Sequence, residues 1–258
     1  MLNTTIHGSG HPLIWGHGLL GSTALETATG WFHPDQSQAV RRIRYDARGH
    51  GQSSPGRSAA DHQWARLGQD MLDIAHQHAG QPRFALGGQS MGCASALYAA
   101  LLEPGAVSHL VLALPPTAWT SRPAQVERYG KMLGLIRARG VASLVALARQ
   151  FPTLPPWLHE AHPGDNAKAL HTMEQFDPTV LQPILEGAMQ SDLPPREALT
   201  QLTMPALILA WEGDGIHPVA TAEMLAQTLP AANLQIIDTA AQLSCWPRLI
   251  DDFLSSQT

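Results

Sequence analysis

Cysteine, charge and long apolar runs are all scarce in this chain. Its 258 residues include two cysteines, Cys93 and Cys245, which give no disulfide framework; a cytoplasmic location is expected. Charged residues are 14% of the total and the net charge is −5, with no long run of either sign. That balance argues against nucleic acid or an anionic membrane surface as a principal partner. No apolar stretch approaches the ~20 residues of a membrane-spanning helix. The start, Met1-Leu2-Asn3-Thr4-Thr5, lacks the basic region and apolar core of a signal peptide. The 13 histidines are scattered without metal-ligand spacing, and His76 and His78 cannot share a helix face. There is no Gly-x-Gly-x-x-Gly and no phosphate loop, so no cofactor is expected. Internal repeats and low-complexity tracts are absent. One further absence matters later: no histidine follows His217.

What is present is a large apolar fraction, 44%, enough for a sizeable core in one large domain or a core with an insertion. The most informative segment is Gly88-Gln89-Ser90-Met91-Gly92. Ahead of it, 83–87 is a short apolar run that reads as a buried strand. Behind it, Met91 to Leu102 carries Ala94, Leu97, Ala100 and Leu101 at helical spacing. A Gly-x-Ser-x-Gly between a strand and a helix is a nucleophile elbow. The glycines permit a sharp turn and close packing, and the helix N-terminus lends positive partial charge to the serine.

Strands are expected at Pro12–Trp15, Val40–Tyr45, Val107–Leu114, Ala206–Trp211 and Leu234–Ile237. Helices are expected at Trp64–His78, capped by Asp61, at Val219–Leu229 and near Leu249–Leu254. Strands apolar on both faces, alternating with helices, predict an α/β architecture: a mostly parallel sheet covered on both sides. Between Thr117 and Leu202 the alternation stops. Helical runs there (about Val126–Ile136 before Gly140, Val141–Arg149, Ala167–Glu174, Thr179–Gln190) are interrupted by Pro152, Pro155 and Pro156. The expected organisation is a core of residues 1–116 and 203–258 with an inserted helical unit, 117–202.

Over nearly its whole length the chain resembles the α/β-hydrolase superfamily. The resemblance rests on four motifs in order: His17-Gly18, Asp46-x-Arg48-Gly49-x-Gly51-x-Ser53, Gly88-x-Ser90-x-Gly92, and Glu212-Gly213-Asp214 followed by Pro218. The core looks most like small esterases and enol-lactonases with a helical lid. The resemblance implies a serine hydrolase acting through an acyl-enzyme at Ser90 on a small ester, thioester or lactone. It implies backbone N–H groups of Leu19 and Met91 as oxyanion donors, and Asp214 as the acid in preference to Glu212. His17, Arg48 and His50 read as loop organisers.

In such enzymes the base is a histidine in the loop after the last strand. Here that loop, Asp238 to Pro247, has none; the vacancy aligns with Ala240 to Gln242, best with Ala241. Three explanations stay open: an engineered loss at Ala241, a natural divergence, or a base supplied by His217, three residues after Asp214. The glycine and glutamate expected around that histidine are absent too, which favours divergence over a single substitution. His33 is the second candidate. The substrate is expected to be a small, apolar molecule, with Trp119 at a strand end as the preferred contact, Trp31 and Trp157 less so, and Arg122 as a potential partner for a carboxylate. Two other readings remain: an inactive relative that binds a small apolar ligand or a protein partner, and a non-hydrolytic enzyme on the same fold. Composition and motifs do not fix the oligomeric state.

Overall fold

Four strands carry the centre of the molecule because their side chains are apolar on both faces: β2 (His11–Gly16), β4 (Phe84–Gln89), β5 (Val107–Ala113) and β6 (Ala206–Trp211) are almost wholly buried. The computed structural model describes residues 1–32, 39–151 and 154–255. With β1 (Thr4–His7), β3 (Val40–Tyr45) and β7 (Ala232–Ile237) these strands form one seven-stranded sheet, ordered β1-β3-β2-β4-β5-β6-β7. All neighbours are parallel except β1, which pairs antiparallel to β3. The edge strands β1 and β7 are half exposed, as one-sided strands at a sheet margin must be.

Helices cover both faces. The core helices are α1 (Thr23–Ala28), α2 (Trp64–His78) and α3 (Met91–Leu102). Between β5 and β6 come α4 (Arg122–Arg139), α5 (Val141–Gln150), α6 (Pro156–Ala161), α7 (Pro163–Glu174), α8 (Pro178–Met189) and α9 (Arg196–Leu199). The chain closes with α10 (Val219–Thr228), α11 (Ala240–Leu243) and α12 (Trp246–Ser255). One apolar cluster joins α2, α3 and α10 to one sheet face. A second, rich in tryptophan, joins α12 to the other. The helices of the insertion have a cluster of their own, with Tyr129, Leu133, Ile136, Leu144, Leu181 and Leu185 at its centre.

The close approach of α3 to β2 depends on missing side chains. A Cβ on Gly92 would sit 1.9 Å from the Gly16 carbonyl oxygen, and one on Gly88 would sit 2.5 Å from the same atom. Ser90, between them, is held at φ 53°, ψ −106°, a left-handed backbone that costs a non-glycine residue ~1–3 kcal/mol.

One expectation about local structure is corrected. Asp61 does not cap α2, whose N-cap is Gln63. Instead Asp61 turns back to accept hydrogen bonds from the Ser58 and Arg57 amides, closing a short 3-10 turn over Ala59–His62. Pro155 and Pro156 fall at the break between α5 and α6, where Pro156 occupies the first position of α6 and its missing N–H costs nothing; Pro152 lies outside the described residues.

Candidate active site

Ser90 stands at the turn from β4 into α3, its backbone N–H bonded to the Ala113 carbonyl of β5. The loop after β6 approaches it from the neighbouring strand end. In that loop Asp214 acts as a local anchor. Its Oδ1 accepts the amides of Ile216 (2.7 Å) and His217 (3.0 Å), and its Oδ2 accepts the Trp211 indole N–H (2.8 Å). The Thr117 amide, after β5, bonds to the Ile216 carbonyl and ties the two loops together.

This bracing puts the His217 ring between acid and hydroxyl. His217 Nδ1 lies 2.7 Å from Asp214 Oδ2 and Nε2 lies 2.9 Å from Ser90 Oγ. A carboxylate can only accept, so Nδ1 carries the proton and Nε2 presents its lone pair to the Ser90 hydroxyl. Burial opposes ionisation of Asp214, but the hydrogen bond and charge of His217, with the Trp211 and Ile216 N–H groups, hold its pKa down at about 2. The arrangement can draw a proton from Ser90 Oγ onto an imidazole whose positive charge a fixed carboxylate then balances.

Two histidines beside the 17–21 loop, His17 and His50, have both ring nitrogens committed. His17 Nε2 accepts the Ala47 amide (2.9 Å), so its Nδ1–H donates to the Gly18 carbonyl (2.7 Å). His50 Nε2 accepts the Leu20 amide (3.2 Å), so its Nδ1–H donates to the Arg48 carbonyl (2.9 Å). Burial lowers both pKa values, that of His50 to about 3. They are neutral spacers that fix the 17–21 loop, and Arg48 does similar work through Asp70, its Nη2 lying 2.7 Å from Oδ1.

Within that loop the Leu20 amide is spent on His50 and the Gly21 amide on the Gly18 carbonyl. The Leu19 amide has no protein acceptor among the described residues. Met91 heads α3, where amides have no intrahelical acceptor. Gly18 packs against Ser90: a Cβ on it would lie 3.7 Å from that of Ser90.

A cavity of about 1410 Å³ opens beside Ser90, lined on one side by Tyr129, Met132, Leu144 and Phe151 of the insertion and on another by Trp31, Trp211 and Trp246. Trp211 and Trp246 stack at 5.9 Å with an interplanar angle of 11°. Trp31 is therefore where the sequence places it, but three expectations are corrected. Trp119 does not line this cavity. Its indole N–H donates to the Pro194 carbonyl, and the side chain packs on the core cluster. Arg122 is buried, bonded to the Ser191 and Ala188 carbonyls and stacked on Trp64 and Tyr129, and it does not line this cavity. Trp157 packs edge-on against Trp211 and donates to the Glu212 carbonyl outside the cavity. The side chain of Glu212 is exposed.

The loop where the sequence places a vacancy is also filled differently. Thr239 caps α11 through the Gln242 amide, and Ala241 is exposed on the outside of that turn; Ala240, not Ala241, lines the cavity. His33 lies outside the described residues. Sequence reasoning missed Trp211 and Trp246 as site residues. Trp211 hid inside a strand pattern, where a large apolar residue needs no further explanation.

The chain belongs to the alpha/beta hydrolase fold family, whose model matches residues 11–249. It is 27% identical to a provisionally named carbamate hydrolase, RutD, of Caulobacter sp. (strain K31), over 81% of this chain and 77% of the relative. It is 25% identical to 3-oxoadipate enol-lactonase 1 of Acinetobacter baylyi, over 85% of this chain and 79% of the relative. A thermophilic esterase from Thermogutta terrifontis superposes with a TM-score of 0.83 at 21% identity, covering 99% of this chain and 93% of that one. Among the described residues, no helix is long and apolar enough to cross a membrane.

Proposed function

We propose that the protein is a cofactor-independent serine hydrolase for a small ester, thioester or lactone, with Ser90 as nucleophile, His217 as base and Asp214 as the acid that orients it. The observation that carries this reading is the unbroken pair of contacts at 2.9 and 2.7 Å through the His217 ring. As Ser90 Oγ bonds to the substrate carbonyl carbon, its proton passes to His217 Nε2. The carbonyl oxygen becomes an oxyanion facing the Leu19 and Met91 amides. Collapse expels the alcohol or thiol, which takes the proton from His217, and leaves an acyl-serine. A water then repeats the sequence: it gives its proton to His217, adds to the acyl carbon, and Ser90 leaves with that proton. Each oxyanion donor lowers the barrier by ~3–4 kcal/mol in sites of this kind.

The ester or lactone class is supported by the lactonase relative at 25% identity and by the apolar cavity wall. On this reading the insertion between β5 and β6 is a lid, and the histidine position after β7 has become redundant. A fluorophosphonate probe is expected to label Ser90 in the folded protein and not in Ser90→Ala. Absence of labelling at high probe concentration points instead to an inactive relative that binds an apolar ligand.

A further inference from the structure

The cavity beside Ser90 measures about 1410 Å³, more than the ~300–1,000 Å³ of an ordinary small-molecule site. Its apolar wall is built from two separate clusters. One is the cluster of the insertion, against which Met132 and Met173 pack together with Leu19 of the 17–21 loop. The other is the tryptophan-rich cluster, against which Trp31, Leu154 and Leu243 pack. These six side chains are half-buried and keep accessible surface. Ala240, the first residue of α11, lies one turn before Leu243 on the helix face that lines the second lobe. It belongs to the loop that carries no histidine, and its single methyl group leaves that lobe open.

The proposed triad orients a substrate between the two lobes. Leu19, the proposed oxyanion donor, borders the insertion lobe. His217 is held by Asp214, whose Oδ2 also accepts the indole N–H of Trp211 in the tryptophan cluster. The leaving oxygen must lie next to His217 Nε2, because it takes the proton from that atom as its bond to the carbonyl carbon breaks. The group carried by that oxygen then extends towards the tryptophan lobe, and the acyl chain towards the insertion. We propose that the substrate is an open-chain ester with an apolar group on each side of the carbonyl: the alcohol part fills the lobe of Trp31, Ala240 and Leu243, and the acyl chain fills the lobe of Met132 and Met173. This rests on the assignment of Ser90 as the nucleophile and narrows the ester, thioester or lactone class to lipophilic esters. A small lactone or a methyl ester leaves one lobe filled with water. Each methylene that a lobe takes out of water is worth about 4-fold in kcat/KM.

The test follows proton release from two matched series of esters with the intact protein. In the first, the acid is hexanoate and the alcohol runs from methanol through butanol to hexanol. In the second, the alcohol is hexanol and the acid runs from acetate through butyrate to hexanoate. In wild type kcat/KM is expected to rise along both series, by about 10-fold or more from end to end. Ala240→Phe fills the alcohol lobe and is expected to flatten the first series to within about 3-fold while the second still rises; Met132→Trp is expected to do the reverse. Ala240→Leu and Met132→Phe replace a variant that fails to fold. A flat series in wild type overturns the proposal. So does a substitution that leaves its own series rising, flattens the other one, or flattens both alike. Faster turnover of γ-butyrolactone than of every ester overturns it too, as does an absence of ester turnover in protein whose Ser90 still takes the fluorophosphonate label. Absence of turnover together with an unlabelled Ser90 overturns the hydrolase reading itself and this proposal with it.

Discussion

His217 reaches Ser90 from the same loop as the acid that holds it: the imidazole sits three residues beyond Asp214, bonded to it through both its own backbone amide and Nδ1. Imidazole and carboxylate therefore form one short unit, fixed at the end of β6 by Trp211 and Thr117. In the proposed triad, a pair so close in sequence needs no contribution from the loop after β7.

That economy predicts the outcome of moving the histidine. His217→Ala is expected to cut ester turnover by ~10²- to 10⁴-fold, the contribution of a positioned general base. Adding Ala241→His to that variant is expected to restore nothing, because residue 241 is exposed on the outer side of α11. Steady-state kinetics on a p-nitrophenyl ester check both; rescue by Ala241→His would contradict the placement of α11.

Asp214 sets an acid limit on stability. Its folded pKa of about 2 lies below the ordinary aspartate value of 3.8. A depressed carboxylate contributes stability that is fully present above the unfolded pKa and is lost as pH falls through 3.8 towards 2. Asp214→Asn is expected to flatten that acid limb in urea melts. It is also expected to lower kcat by at least ~10²-fold at neutral pH, since the imidazolium loses its counter-charge.

Glu26 predicts the opposite slope. Burial pushes its pKa from 4.5 up to about 7, against the Trp15 indole N–H at 2.8 Å and the nearby Arg44, Nη1 of which lies 3.6 Å away. A raised carboxyl favours folding below the unfolded pKa, and that contribution drains away as pH climbs from 4.5 to about 7. Glu26→Gln removes the titration. Its stability relative to wild type is expected to rise across that window by up to ~3 kcal/mol and then level off. Melts at pH 4.5, 6 and 8 check the sign; a Glu26→Gln variant that loses stability relative to wild type as pH rises would contradict it.

Packing under the elbow predicts a steep contrast between glycines. Gly92→Ala forces a Cβ to 1.9 Å from a backbone carbonyl and is expected to abolish soluble, folded protein. Gly134→Ala, in α4 with nothing within 4 Å, is expected to stabilise by ~0.5–1 kcal/mol through helix propensity. Circular dichroism and thermal melts distinguish the two.

The central strands, α2 and α3 were legible to within a residue or two because one physical signal, burial of an apolar face, decides them. The short elements were not. β1 is four residues of mixed polarity, held by its pairing with β3, and α11 is one turn held by a Thr239 cap. The elbow and Asp214 were legible from local motifs. The fate of Trp119 and Arg122 was not, because it depends on the segment 188–194, some seventy residues away in sequence, closing over them. Whether His217 could reach Ser90 was a question of loop geometry, settled by the contacts of Asp214 Oδ1 rather than by spacing.

The most direct test of the proposed triad is the energetic coupling of its ends. Turnover of one p-nitrophenyl ester is measured for Ser90→Ala, His217→Ala and the double variant. Groups that act as a unit are strongly non-additive, so each single change is expected to cost nearly as much as both together. A double variant slower by the product of two separate losses, or a His217→Ala variant as active as wild type, would contradict the account.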